Sequence, residues 1–270
     1  MVTAQSMLSV LRELGIKEGD SVLVHSSFKS LGEVEEGAKT VIDAFEAAVG
    51  KEGTLVFPTL CMTEFDKVYE TWHIDKPSDA GYLTNYFRLL DGAVRSNQAT
   101  HSVAARGKHA KYLTETHGET GKRYGIYGDT PFSADSPWEK MYHMDTKVVM
   151  IGVDLRKCTF RHYVEYCYME KALDSIRDRA DYEEMRARVW HYDEFDKKGA
   201  WPHIDNLYVA DVMEREGKLH RIMCGEAELT MVESADFVET ARALFDKKVP
   251  ELIREPSRET FWQWERDVRA

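Results

Sequence analysis

An imidazole, a carboxylate and a hydroxyl gather in the run Cys158-Thr159-Phe160-Arg161-His162-Tyr163-Val164-Glu165. His162 and Glu165 stand three residues apart, the spacing that puts two side chains on one face of a helix. The run follows Val148-Val149-Met150-Ile151-Gly152-Val153, which reads as a buried strand. The helix would therefore start just past the carboxyl end of a core strand, where open α/β sheets bind ligands. A histidine backed by a carboxylate can take a proton from an attacking nucleophile. The same pair could instead be an ordinary surface contact worth roughly a few tenths of a kcal/mol, but Val164 and the strand before it point to burial. Cys158 is either a nucleophile beside His162 or a buried, inert packing residue. A metal site would have to recruit His25 or His101, and no dense ligand motif such as His-Glu-x-x-His supports one.

Two further constellations bear on ligand binding. Ser21-Val22-Leu23-Val24-His25 reads as a strand, and the turn Ser26-Ser27-Phe28-Lys29-Ser30-Leu31-Gly32 follows it. Amides and hydroxyls in such a turn suit a phosphate or an amide-bearing ligand; they could equally cap the next helix. The glycine spacing of a Walker loop is absent. His101-Ser102 lies between a strand and a helix, with Arg106, Lys108 and Lys111 close behind. Those cations could meet ligand phosphates or form a solvated helix face. Residues 61–78 are polar and rich in aromatics, with Glu64, Asp66 and Asp75 among them, and a connection of that length reads as a binding loop or lid.

The elements that must position these groups are legible as periodicity. Met7, Leu8, Leu11 and Leu14 mark a first helix stopped by Gly15. A second helix over 37–49 carries Val41, Ile42, Phe45 and Val49 as its apolar stripe, and the strand Thr54-Leu55-Val56-Phe57 ends at Pro58. Two strands joined through a helix make a βαβ unit and favour a largely parallel sheet. Further helices are expected near 83–90, 109–117, 203–216 and 234–247, and strands near 93–96, 147–153, 189–192, 219–223 and 229–232. The densely charged stretch 174–188 reads as a solvated helix or an insertion. The tail, 254–270, carries Phe261, Trp262 and Trp264 and should dock on the body. The expected architecture is a layered α/β/α fold with a largely parallel central sheet and a smaller C-terminal β-containing part, in a single domain over 1–270.

The chain has 270 residues, 43% hydrophobic and 31% charged, ample for a buried core. No apolar run reaches the roughly 20 residues that span a bilayer, and the first residues lack the pattern of a signal peptide. The expectation is a cytoplasmic protein with no membrane partner. A net charge of −11 without a segregated basic patch argues against nucleic acid; it would attract a cationic substrate or simply aid solubility. Four cysteines without a Cys-x-x-Cys pair speak against a disulfide framework and a zinc ribbon.

Taken in order, these segments resemble the aminoglycoside 3-N-acetyltransferase family over nearly the whole chain. The matching pieces include Gly19-Asp20-Ser21-Val22-Leu23-Val24-His25-Ser26-Ser27 with Leu31-Gly32, Gly53-Thr54-Leu55-Val56-Phe57-Pro58-Thr59 and Arg95-Ser96. His101-Ser102-Val103-Ala104-Ala105-Arg106-Gly107, Thr130-Pro131-Phe132, Ser136-Pro137, Thr159 with His162 through Glu165, and Gly225-Glu226-Ala227 complete the set. Where many relatives carry His-Pro before the His-Ser-Val motif, this chain has Gln98-Ala99. The resemblance implies an α/β enzyme, distinct from the GNAT fold, that moves the acetyl group of acetyl-coenzyme A to an amine. It makes His162 the general base and Glu165 the acid that organises it, with the Thr159 hydroxyl available to the charge on the reacting carbonyl oxygen. It assigns Ser26, Ser27, Ser30, Leu31 and Gly32, together with His101, Ser102, Val103 and Arg106, to the coenzyme site. Glu64 and Asp75 would hold ammonium groups of a small-molecule acceptor, an aminoglycoside or another amine. A metal-dependent hydrolase using His101, His162 and Glu165, and a non-catalytic coenzyme-binding protein, are the rival readings.

Overall fold

Helix α1 (Ala4–Glu13) opens the fold, its first turn closed by a capping box between Thr3 and Ser6. Strands β1 (Ser21–Ser26) and β2 (Thr54–Pro58) flank helix α2 (Ala38–Val49). Short helices α3 (Val68–Thr71) and α4 (Tyr82–Phe87) lead to β3 (Val94–Arg95) and β4 (Val103–Gly107). Helices α5 (Ala110–Thr114) and α6 (Pro137–His143) precede β5 (Lys147–Ile151). Helices α7 (Phe160–Asp174), α8 (Tyr182–Trp190) and α9 (Asn206–Arg215) follow; then come β6 (Leu219–Cys224), β7 (Ala227–Glu233), α10 (Ser234–Asp246) and α11 (Ser257–Arg269). This computed structural model describes residues 1–190 and 199–270.

All seven strands join one sheet in the order β3-β4-β2-β1-β5-β7-β6. Only β2, β1 and β5 run parallel, and every other neighbour is antiparallel. The expected largely parallel sheet is therefore corrected to a mixed one with a parallel centre. Connection length is the reason: α2 supplies the crossover between β1 and β2, whereas Gly225-Glu226 turns β6 straight into β7. Gly225 sits at φ +58, and a Cβ there would lie 2.4 Å from the Leu31 carbonyl oxygen. Nor do β6 and β7 make a separate smaller part. Strand β7 pairs with β5 from Lys147↔Glu233 to Ile151↔Leu229 and extends the same sheet.

Side chains alternate across the sheet, as the pleat requires. Leu23, Val56, Val103, Val148 and Met150 pack with α5, α6, α7, α9, α10 and α11. Val22, Val24, Leu55, Phe57, Val149 and Ile151 pack with α1, α2 and α4. Both faces are thus buried, which is why these strands read as continuous apolar runs. The carboxyl ends of β2, β1 and β5 share one edge. Because β4 is antiparallel, its beginning lies at that edge, with Val103 opposite Pro58 and Gly107 opposite Thr54.

The charged stretch is held rather than solvated. Ile176, Met185 and Val189 are buried, Arg188 pairs with Asp267 at 2.7 Å, and Arg179 donates to the Val268 carbonyl at 2.9 Å. The strand expected over 189–192 is not formed at its start: Val189 lies in α8, and residues 191–192 fall outside the described residues. Residues 61–78, expected to be a structureless loop, hold α3 and a 3-10 turn over Phe65–Lys67. The tail docks through α11, where Phe261 and Trp264 are fully buried and the Trp264 indole donates to the Met185 carbonyl at 2.8 Å. No helix of the described residues is long and apolar enough to cross a membrane. Trp264→Ala is expected to destabilise the fold by about 3–5 kcal/mol, the range for removing a buried large aromatic. Urea unfolding checks this, and a loss below about 1 kcal/mol would show that α11 is not anchored there.

Candidate active site

Strand β5 ends at Ile151, a 3-10 turn over Leu155–Lys157 follows, and Thr159 leads into α7. The Thr159 side chain is not used as a cap; its carbonyl accepts from the His162 amide at 3.0 Å. One turn of helix brings His162 Nδ1 to 2.8 Å from Glu165 Oε2. Glu165 is fully buried. Its carboxylate also accepts from the Trp201 indole at 3.0 Å and from the Ile204 amide at 2.9 Å. Three donors compensate the desolvated charge, as a buried carboxylate demands.

The partners fix the tautomer of His162. A carboxylate only accepts, so Nδ1 carries the proton; the Arg161 Nε donates to Nε2 at 3.2 Å, so Nε2 offers a lone pair. Burial, with the charges of Arg161 and Arg254, holds the imidazole well below its ordinary pKa. The ring is neutral, oriented and basic at one nitrogen.

Aromatic rings pack around it. Tyr127 lies 4.8 Å from the His162 ring edge to face, His101 5.5 Å away and Phe132 6.0 Å away. The buried Gln98 organises this wall: its Oε1 accepts from the Thr100 and His101 amides at 2.8 and 2.5 Å. Its Nε2 donates to the Tyr69 hydroxyl at 3.3 Å and to Thr130 Oγ1 at 3.2 Å. Tyr69 in turn donates to the Tyr127 carbonyl at 2.5 Å. Gln98 thus joins loop 61–78 to the rings beside His162.

The sequence-nominated residues divide three ways. His101 joins His162; its ring also lies 4.7 Å from Tyr127. Phe65, next to Glu64 in the chain, meets Tyr127 at 5.9 Å. Glu64 and Asp75 are exposed. Ser26 and Ser27 sit half-buried at the end of β1; Leu31 is buried, and Gly32 turns there at φ +73. Ser30 approaches Gly152 so closely that a Cβ on the glycine would lie 1.6 Å from its hydroxyl. Beside them opens a cavity of about 750 Å³ lined by Ser30, Gly152, Asp154, Arg156, Lys157 and Glu226.

Others point elsewhere. Ser102 is fully buried and spends its hydroxyl on the Thr59 carbonyl at 3.0 Å and on Arg95 at 3.2 Å; Val103 is core. Arg106 lies opposite Leu55, toward the far end of the antiparallel β4, and pairs with Glu46 at 3.1 Å. Lys108 pairs with Glu52 and Lys111 with Glu115. Arg106 therefore stands apart from His101: four residues lie between them, three of them in β4. Cys158 is an inert thiol, pushed up to about 12 by burial. His25 is buried at the end of β1, its Nε2 without a hydrogen-bond partner among the described residues. Among the described residues, no three His, Cys, Asp or Glu side chains are grouped to hold a metal. Trp201 and Ile204 were missed because nothing local in the sequence marks a donor for a carboxylate nearly forty residues earlier.

The chain matches the family model for aminoglycoside 3-N-acetyltransferase over residues 23–246. The SPbeta prophage-derived aminoglycoside N(3')-acetyltransferase-like protein YokD of Bacillus subtilis (strain 168) is 29% identical over 260 residues, 88% of this chain and 91% of that protein. Aminoglycoside N(3)-acetyltransferase III from Salmonella sp is 31% identical over 182 residues, 61% of this chain and 60% of that enzyme. The solved AAC-IIIb binary complex with CoASH has the same fold, with a TM-score of 0.68 at 19% identity over 94% of this chain and 98% of that one.

The buried imidazoles make stability depend on pH. Burial lowers His25 and His117 to about 4, against about 6.5 in the unfolded chain. A histidine with a depressed folded pKa stabilises the fold fully above 6.5, and that contribution is lost as pH falls toward 4. Each is worth about 3 kcal/mol across that window. Urea midpoints should fall steeply between pH 6.5 and 5, and His117→Gln should flatten the slope; a level wild-type profile would contradict it.

Proposed function

The chain belongs to the aminoglycoside 3-N-acetyltransferase family, and we propose that it moves an acetyl group from acetyl-coenzyme A directly to an amine of an aminoglycoside or similar amino sugar. The observation that carries the reading is the buried dyad. Neutral His162, locked by Glu165 with a lone pair on Nε2, is built to accept one proton.

The residues at the carboxyl edge fit the coenzyme. The cavity beside Ser30 and Gly152 carries Lys157 and Arg156, the latter paired with Asp154 at 2.7 Å, cations that would meet phosphates. Bound acetyl-coenzyme A supplies an activated acyl carbon. His162 Nε2 takes a proton from the acceptor nitrogen as the new carbon–nitrogen bond forms and the carbon–sulfur bond breaks. Glu165, fixed by Trp201 and Ile204, stabilises the resulting imidazolium without itself moving. The Thr159 hydroxyl, unspent on its helix cap, stabilises charge on the carbonyl oxygen, an effect typically worth about 3–4 kcal/mol. His162 then returns its proton to the departing sulfur or to solvent. No covalent bond to the enzyme is needed, in keeping with the inert Cys158.

The metal-hydrolase reading asks Glu165 to be a ligand, yet both its oxygens are engaged by protein donors. A purely binding protein would have no use for so constrained a base. His162→Ala should lower kcat by at least about a thousandfold while calorimetry still detects coenzyme binding; near-normal turnover would remove His162 from the chemistry. On loop 61–78 the exposed Glu64 and Asp75 would hold ammonium groups of the acceptor. The double change Glu64→Gln and Asp75→Asn should raise acceptor KM several-fold with little effect on kcat, and unchanged kinetics would take the loop out of the acceptor site.

A further inference from the structure

The nitrogen that must receive the proton is already occupied by a cation. Arg161 is half-buried on the first turn of α7, and its Nε donates to His162 Nε2 at 3.2 Å. A second half-buried guanidinium, Arg254, follows the bridge Ile204↔Ile253, and its amide donates to the His203 carbonyl at 2.9 Å. It therefore flanks the segment whose Ile204 amide holds Glu165. The charges of both arginines reach His162 and His203. Among the described residues, no acid lies within ion-pair distance of either one. Arg123, by contrast, is paired with both Glu139 and Glu170.

An unpaired guanidinium leaves a partner only for a better one. A carboxylate or phosphate matches its fork of donors and adds charge to the hydrogen bonds. An incoming ammonium offers Arg161 nothing and repels it. We propose that Arg161, with Arg254, forms an anion subsite beside the base, so that the preferred acceptor carries a carboxylate or phosphate close to its nucleophilic amine. The anion draws Arg161 off Nε2 and so frees the lone pair only when such an acceptor is present. This rests on His162 being the base, and in place of a polycationic aminoglycoside it puts an amine that carries an anion.

Matched acceptors test it: glucosamine against glucosamine 6-phosphate, and an amino-acid amide against the free amino acid, with a polycationic aminoglycoside alongside. The wild type should favour the anionic member of at least one pair by about ten- to hundredfold in kcat/KM, and the pair that responds tells phosphate from carboxylate. Arg161→Gln should abolish the preference while leaving the coenzyme Kd unchanged. A wild type that prefers the neutral or polycationic acceptor overturns the proposal, as does a preference that survives in Arg161→Gln. A coenzyme Kd that weakens with the preference intact assigns the arginine to coenzyme phosphates instead, and also overturns it. A turnover-independent arm uses nitrogen-15 NMR of the imidazole: inorganic phosphate should shift Nε2 in wild type and not in Arg161→Gln. No shift in wild type counts against the subsite. His162→Ala separates the two levels, because full activity there defeats the base itself rather than the subsite.

Discussion

A fully buried carboxylate is the constraint around which this site is arranged. Glu165 is fully enclosed, and its charge is tolerable because an indole, a backbone amide and an imidazole all donate to it. Two of those donors come from the segment around Trp201 and Ile204, which α7 cannot hold by itself. That segment is stitched to the tail: Asp205 donates its amide to the Leu252 carbonyl, Arg254 to His203, and Ile204 bridges Ile253. The seating of residues 252–254 and the orientation of the His162 imidazole are therefore parts of one network.

How much of this the sequence disclosed follows from the range of each interaction. The i,i+3 pair was legible because helix geometry is local, and so was the strand that delivers it to the carboxyl edge. The helical stripes of α1, α2 and α10 appeared within a residue or two of their expected limits. Strand direction was not legible. His101 and Arg106 belong to one continuous motif, yet an antiparallel β4 sends the first to the site and the second to Glu46. The same blindness separated β6 and β7 from the sheet that they extend. The donors to Glu165 were invisible for a related reason: a backbone amide such as that of Ile204 has no sequence signature at all.

Loop 61–78 shows how a segment without long elements can still be specified. Arg95 fastens its base, donating to the carbonyls of Thr59, Ile74 and Lys76 while its guanidinium lies 4.7 Å from the Trp72 ring. Tyr69 fastens its middle, through Gln98 and the Tyr127 carbonyl. Gly128 makes that second contact feasible, since a Cβ there would stand 2.3 Å from the Tyr69 hydroxyl. The loop is consequently tied to the ring that packs edge to face on His162. Composition alone marked the loop as a place for ligands; its two anchors explain how an exposed wall can be held in register with a buried base.

Charge acts on two scales here, with opposite signs. The net charge of −11 gives the surface a negative field, which steers cations over distances up to a Debye length of about 8 Å at physiological salt. At the Nε2 side of the His162 ring the sign reverses, because the charge that touches that nitrogen is the Arg161 guanidinium. A field that recruits an amine and a local cation that rejects a bare ammonium are not in conflict if the acceptor is zwitterionic. Its ammonium answers the surface, and its anion answers the arginine. Short-range contacts in a water-poor site outweigh the screened field outside it, so selection among amines belongs to the pocket and only their arrival to the surface. The family resemblance carries the chemistry of acyl transfer.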